Sequence, residues 1–236
     1  MENLTVILTA SIDVKGMYAT ERINPNEREK DYINALKQWM KTGLPIIFCE
    51  NSGHDLSKVR KVTSNYDKIE ILQFNGQNFD KNLGKGFGEQ KILRFIAENS
   101  NLFGISKKII KITGRYYLKN FKQFEESLTA VNGVSTILGR NLTFSHSRVI
   151  ISTPAFITDY FFLYSSKIND KNGYCFENAL SQAIHKYMAD SGEWIMLPHF
   201  PMICGYSGTS NTKINSTVKD LIRKIFYSLK LWVYKQ

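Results

Sequence analysis

Three polar runs stand where apolar, β-branched runs end in this 236-residue chain: Thr9-Ala10-Ser11, Glu50-Asn51-Ser52-Gly53 and Thr113-Gly114-Arg115. In open α/β sheets, ligands bind beyond the carboxyl ends of the strands. Parallel strands would bring the three runs to one cleft. There Thr9, Ser11, Glu50 and Asn51 would meet a base or ribose, with Thr113 and Gly114 at the same end. Arg115 offers a fixed cation to phosphate oxygens. The same guanidinium serves equally as half of a structural ion pair.

A second candidate is the run GKGFGE, residues 84–89, a glycine-rich turn that opens a predicted helix. Backbone N–H groups at Gly86 and its neighbours, with Lys85 beside them, suit a diphosphate. The run is neither GxxxxGK[ST] nor GxGxxG, and a structural glycine turn explains it as well. Glu177 opens another predicted helix, after an Asn-Asp-Lys-Asn-Gly loop. A carboxylate held in a cleft can deprotonate an acceptor hydroxyl. One that only complements the helix dipole is the commoner case. Asp13, Glu50, Glu89, Asp159 and Asp170 are the competing acids. The histidines at 54, 146, 185 and 199 show neither HxxxH nor HExxH spacing, and no DxD occurs. No metal or other cofactor is expected. No GxSxG elbow supports serine hydrolysis either.

The elements that must position these groups alternate. Residues 5–10, 45–49, 69–74 and 108–112 read as short buried strands. Between them, residues 28–42 carry Tyr32, Ala35, Leu36, Trp39 and Met40 at helical spacing, with Gly43 where a C-cap glycine belongs. The helix after the glycine turn carries Ile92, Leu93, Phe95 and Ile96. Such alternation predicts a mainly parallel α/β sheet. The second half is less regular. Residues 148–153 and 194–197 read as strands, residues 156–164 and 176–188 as helices, and residues 205–211 as a polar loop. Residues 216–234 form a last helix with the stripe Val218, Leu221, Ile222, Ile225, Leu229 and Trp232. Lys219, Arg223, Lys224, Lys230 and Lys235 accompany it against the single acid Asp220. Such a helix can lie on anionic membrane or pack its stripe on the domain, the commoner fate.

A net charge of +10 favours anionic partners. No zinc-finger or RNP signature or interleaved basic and aromatic stripe is present, so nucleic acid is not expected. Cys49, Cys175 and Cys204 lack CxxC spacing and read as free thiols in a reducing compartment. No signal peptide and no uninterrupted apolar span is evident.

The set ILTASID (7–13), IIFCENSGHDLS (46–57), GKGFGE (84–89), KITGRYYL (111–118), GYCFENAL (173–180) and PMICGYSGTS (201–210) resembles, in this order, a group of bacterial polysaccharide glycosyltransferases. These are short chains encoded with O-antigen, lipooligosaccharide and capsule genes. The resemblance implies a GT-A-like, Rossmann-type domain over residues 1–212, followed by a basic amphipathic helix over 213–236. It implies inverting transfer of a hexose from a nucleoside diphosphate sugar, a UDP-sugar foremost, to a glycan or glycolipid acceptor. Thr9, Ser11, Glu50, Asn51, Lys85, Gly86, Glu89, Thr113 and Gly114 then serve the donor. Glu177 becomes the base, with His199 and Ser207 on the acceptor side. The enzyme would be cytoplasmic and peripheral on the inner membrane. This chain departs from GT-A enzymes in having Thr113-Gly114-Arg115 where they carry DxD. The implied transfer is therefore metal-independent, with Arg115 in the metal's electrostatic role. A non-catalytic, nucleotide-binding, membrane-associated module of polysaccharide assembly is the competing reading.

Overall fold

The computed structural model describes residues 4–14, 16–128, 132–139, 141–214 and 218–234. In chain order the first half holds β1 (Leu4–Ala10), α1 (Pro25–Met40), β2 (Ile46–Glu50), α2 (Ser57–Thr63), β3 (Ile69–Gln73), α3 (Gly84–Asn99), α4 (Asn101–Ile105), β4 (Lys108–Thr113) and β5 (Tyr116–Leu118). The second half holds α5 (Phe121–Ser127), β6 (Val134–Thr136), β7 (Leu138–Gly139), β8 (Phe144–Ser145), β9 (Val149–Ser152), α6 (Phe162–Ser165), α7 (Phe176–Ala189), β10 (Trp194–Met196), β11 (Ile203–Tyr206), β12 (Lys213–Ile214) and α8 (Val218–Tyr234).

The main sheet has the order β10-β6-β9-β4-β1-β2-β3. β1 pairs in parallel with β2 and β4, and β2 with β3. β9 runs antiparallel to both β4 and β6, while β10 is parallel to β6. The chain is thus a mixed α/β fold with a mostly parallel central sheet flanked by helices, as the alternation predicts. The antiparallel β9 is what the periodicity could not show, because a buried strand reads the same in either direction.

Side chains alternate across each strand, and that sorts the core into two layers. Val6 and Leu8 of β1 and Ile110 and Ile112 of β4 face one layer, which Tyr32, Leu36 and Trp39 of α1 complete. Ile7 and Ile109 face the other, with Ile92, Leu93 and Ile96 of α3 and Leu180 and Ile184 of α7. α1 begins three residues earlier than its apolar spacing predicts. Asn24 caps it by accepting from the N–H groups of Asn26 and Glu27, and Pro25 follows directly.

The polar loop expected at residues 205–211 begins in a strand. β11 pairs with β5 and β12 in a small antiparallel sheet. A π-helical stretch, Phe156–Phe161, leads into α6. In α8, Tyr227 turns inward: its hydroxyl donates to the Leu197 carbonyl at 2.8 Å and its ring meets Phe200 edge-on. Ile222, Ile225, Phe226 and Leu229 are exposed. The side chains of Val218, Leu221 and Trp232, also in the expected stripe, lie outside the described residues. No described helix is long and apolar enough to cross a membrane.

Candidate active site

The strand order turns at β1, whose neighbours β2 and β4 are reached by connections running opposite ways. A crevice opens at such a point in open α/β sheets. Here it is a cavity of about 410 Å³ beyond the ends of β1 and β4. Of the residues expected at a site, Thr9, Ser11, Lys85, Gly86, Glu89, Thr113, Arg115, Glu177 and Ser207 line it. Glu50, Asn51, Gly114 and His199 do not.

The reasons are local. Glu50 is completely buried, on the α1 side of the sheet. It accepts from the N–H groups of Ile12, Ser52 and Gly53 and from the Ser52 hydroxyl. Its carboxylate knots the loops after β1 and β2 together and lies outside the cavity lining. Asn51 is equally buried and accepts from Ser11 Oγ at 2.5 Å and Gln77 Nε2 at 3.0 Å. Gly114 donates its N–H to the Thr9 carbonyl at 2.8 Å; a Cβ there would lie 2.8 Å from that oxygen. It keeps β1 and β4 close at their ends. His199 packs against Phe124 and meets the Ser127 hydroxyl at 3.1 Å, on α5.

The glycine-rich turn holds an anion of the protein's own. Asp170 accepts from the Gly86 N–H at 3.2 Å, at the N-terminus of α3. Gly84 has φ +83°, and a Cβ on it would lie 2.2 Å from Asp170 Oδ2. The glycines make the notch that admits Asp170, which occupies the place the sequence suggests for a diphosphate. Burial raises the Asp170 carboxyl above the usual range, and nearby Glu177 adds to this. Lys85 reaches the other way, donating to the Ala19 carbonyl at 2.9 Å and the Thr209 hydroxyl at 2.5 Å. Its pKa is lowered, by burial first and then by the Arg115 charge.

Arg115 donates through Nε to the Tyr206 carbonyl at 2.9 Å and through Nη1 to the Tyr32 hydroxyl at 3.3 Å. Neither partner is a carboxylate, so its charge is held in place without being neutralised. Tyr32 also accepts from the Ser11 N–H and from Arg28. Arg28 is buried and donates to the Ser11, Ile12 and Arg22 carbonyls. Arg148 stands exposed at the cavity wall. Glu177 accepts from the Ser147 hydroxyl at 2.6 Å. Burial, then the Glu177 charge, pushes the neighbouring Cys175 thiol up to about 11.

Sequence reasoning missed Arg28, Tyr32, Lys111, Ser147 and Asp170 as parts of this arrangement. Arg28 and Tyr32 lie on the first turns of α1, one helical turn apart, which is the available signal. Asp170 was in view only as a competing acid. Among the described residues, no three His, Cys, Asp or Glu side chains form a group that could hold a metal. Thr113, Gly114 and Arg115 at the end of β4 do not fit a divalent ion either.

No family model matches this chain, and no curated protein matches it. Among solved structures, a nucleotide-diphospho-sugar transferase assignment from Desulfovibrio desulfuricans is 8% identical, with 84% of this chain and 80% of that one covered and a TM-score of 0.44. The galactosyltransferase LgtC, with donor and acceptor sugar analogues, is 8% identical over 75% of this chain and 69% of its own, at a TM-score of 0.45. The 4-diphosphocytidyl-2C-methyl-D-erythritol synthase of Anaerococcus prevotii is 11% identical over 96% and 98%, at 0.46. All three scores fall below 0.5, so the functional reading rests on the site itself.

Proposed function

We propose that this chain is a glycosyltransferase with a GT-A-like domain. It would move a hexose from a UDP-sugar to a bacterial surface glycan, inverting the anomeric centre and using no divalent metal. The observation that carries the proposal is the pairing, in one cavity at the β1/β4 strand ends, of Arg115, whose hydrogen-bond partners are not carboxylates, with a carboxylate, Glu177, held by the Ser147 hydroxyl beside the Cys175 thiol.

The chemistry follows from those two groups. The acceptor hydroxyl passes its proton to Glu177 as its oxygen bonds to the anomeric carbon. The bond from that carbon to the diphosphate breaks, and its electron pair stays on the diphosphate oxygen. The added negative charge falls to the protein's cations, Arg115 first, with Lys85 and Arg148 on the same cavity. Ser147 holds Glu177 Oε1, and the carboxylate takes the proton. The resemblance in KITGRYYL and GYCFENAL supports the same roles for Arg115 and Glu177.

A glycolipid acceptor accords with α8. Exposed Ile222, Ile225, Phe226 and Leu229 share the helix with Arg223 and Lys224. Apolar burial and basic charge together suit an anionic membrane face, such as the inner membrane seen from the cytoplasm.

A panel of nucleotide sugars tests the proposal, with slow hydrolysis of the donor as readout. Release of sugar from one donor is expected, and Glu177→Gln should lower kcat of transfer by ~10²-fold or more while donor affinity holds. Near-normal kcat in Glu177→Gln would remove it as the base. Binding of nucleotide without turnover over every donor and acceptor would point to a non-catalytic module.

A further inference from the structure

A buried cation lies behind Glu89 of the cavity lining. Lys111 lies in β4 between Ile110 and Ile112 and is completely buried. Alternation along the strand turns it, with Thr9, toward α3 and α7. Its ammonium forms an ion pair with Glu89 Oε1 at 2.7 Å, donates to the Ser147 carbonyl at 3.0 Å, and stands 4.8 Å from the centre of the Phe176 ring.

A buried ion pair adds little net stability, because desolvation offsets its attraction. What this one does is orient an atom. The Thr9 hydroxyl donates to the same Glu89 Oε1, also at 2.7 Å. With the ion pair and the hydroxyl both on Oε1, Oε2 has no partner among the described residues, and Glu89 lines the cavity. Ser147 extends the line: its carbonyl takes Lys111 while its hydroxyl holds Glu177 Oε1. One ammonium thereby orients two carboxylates, Glu89 directly and Glu177 through Ser147. Glu89 keeps Oε2 for a ligand.

We infer that Glu89 Oε2 accepts hydroxyls of the donor sugar, with Lys111 as its positioning residue, so that the site selects a neutral hexose over an anionic one. The inference rests on the glycosyltransferase reading and deepens it. An ionised carboxylate only accepts hydrogen bonds, and sugar hydroxyls are donors that match it. The carboxylate of a uronic acid brought to the same place would meet a like charge. Lys111 lies buried behind Glu89, outside the cavity lining, and is already paired with it.

Calorimetry with UDP, UDP-glucose and UDP-glucuronate separates the sugar's share of affinity from that of the nucleotide. Wild type should bind UDP-glucose more tightly than UDP-glucuronate. Glu89→Gln should lose about tenfold in UDP-glucose affinity, the worth of one hydrogen bond to a charged group, with UDP binding unchanged. Lys111→Met should show the same selective loss. The double variant Glu89→Gln/Lys111→Met should lose no more than either, since one interaction is removed by all three. It also leaves no buried charge unpaired, so it remains testable should a single variant fail to fold. A merely structural pair would weaken UDP and UDP-glucose alike. That result, or Glu89→Gln with the UDP-glucose advantage intact, overturns the inference while leaving the transferase reading in place. A wild type that binds no nucleotide sugar of a wider panel overturns both.

Discussion

At the scale of single residues, the acids of this chain divide by what holds them. Glu50 is spent on four donors and is part of the frame. Asp170 accepts from the first turn of α3 through Oδ2, while its buried Oδ1 has no hydrogen-bond partner among the described residues. Glu177 lines the cavity, held by Ser147 with the Cys175 thiol beside it, which is why the base is argued there. The sequence showed all three as acids near loops, but it could not show their partners. One of the four donors to Glu50 comes from 38 residues away, and the Gly86 N–H on Asp170 from 84. Asp170 also gives a pH signature. The folded chain holds its proton more tightly than the unfolded chain, so folded stability falls as pH rises through the raised pKa. Asp170→Asn removes that loss and still accepts from Gly86. Its melting temperature should rise relative to wild type with pH above the ordinary Asp range, and the gap should close below pH ~4. A gap independent of pH would mean that burial does not strain this carboxyl.

At the scale of elements, strands and helices with strong periodicity were legible, and the short second sheet was not. β1, β2, β3 and β4 follow from continuous apolar runs. β5, β11 and β12 are two to four residues each, too short for any period to register. The glycine run read as a turn ahead of a helix, but residues 84–89 are already the start of α3; its occupant was not legible, because glycines that admit a phosphate and glycines that admit Asp170 look alike in a sequence. Gly84→Ala should force a choice: at φ +83° with a Cβ 2.2 Å from Asp170 Oδ2, the helix start or the carboxylate must move. A loss of about 1 kcal/mol or more is expected in urea unfolding. A neutral substitution would show that the notch yields freely. For α8, Tyr227 settles the inward side and leaves four apolar side chains outward. Phe226→Glu with Ile225→Glu should abolish binding to anionic vesicles and leave folding unchanged, since Tyr227 keeps its bond to Leu197. Vesicle binding equal to wild type would end the membrane proposal. Unfolding would mean that the outer face is core.

At the scale of the whole molecule, the sheet decides where chemistry can occur, and the charge decides what kind. Parallel β1, β2 and β4 bring their carboxyl ends to one side, as the polar runs suggested. Yet only the β1 and β4 ends open on the cavity, because Glu50 and Asn51 close the β2 end. A basic surface draws anionic donors from a distance, and Arg115 meets them where the strand order turns. The most direct test of the central claim is therefore turnover of the best donor by wild type and Arg115→Ala, each with and without EDTA. The account predicts that wild-type turnover survives EDTA and that Arg115→Ala falls by ~10²–10³-fold in kcat, the scale for removing one preorganised electrostatic donor. Wild-type activity abolished by EDTA and restored by a divalent ion, or an Arg115→Ala enzyme as active as wild type, would contradict it.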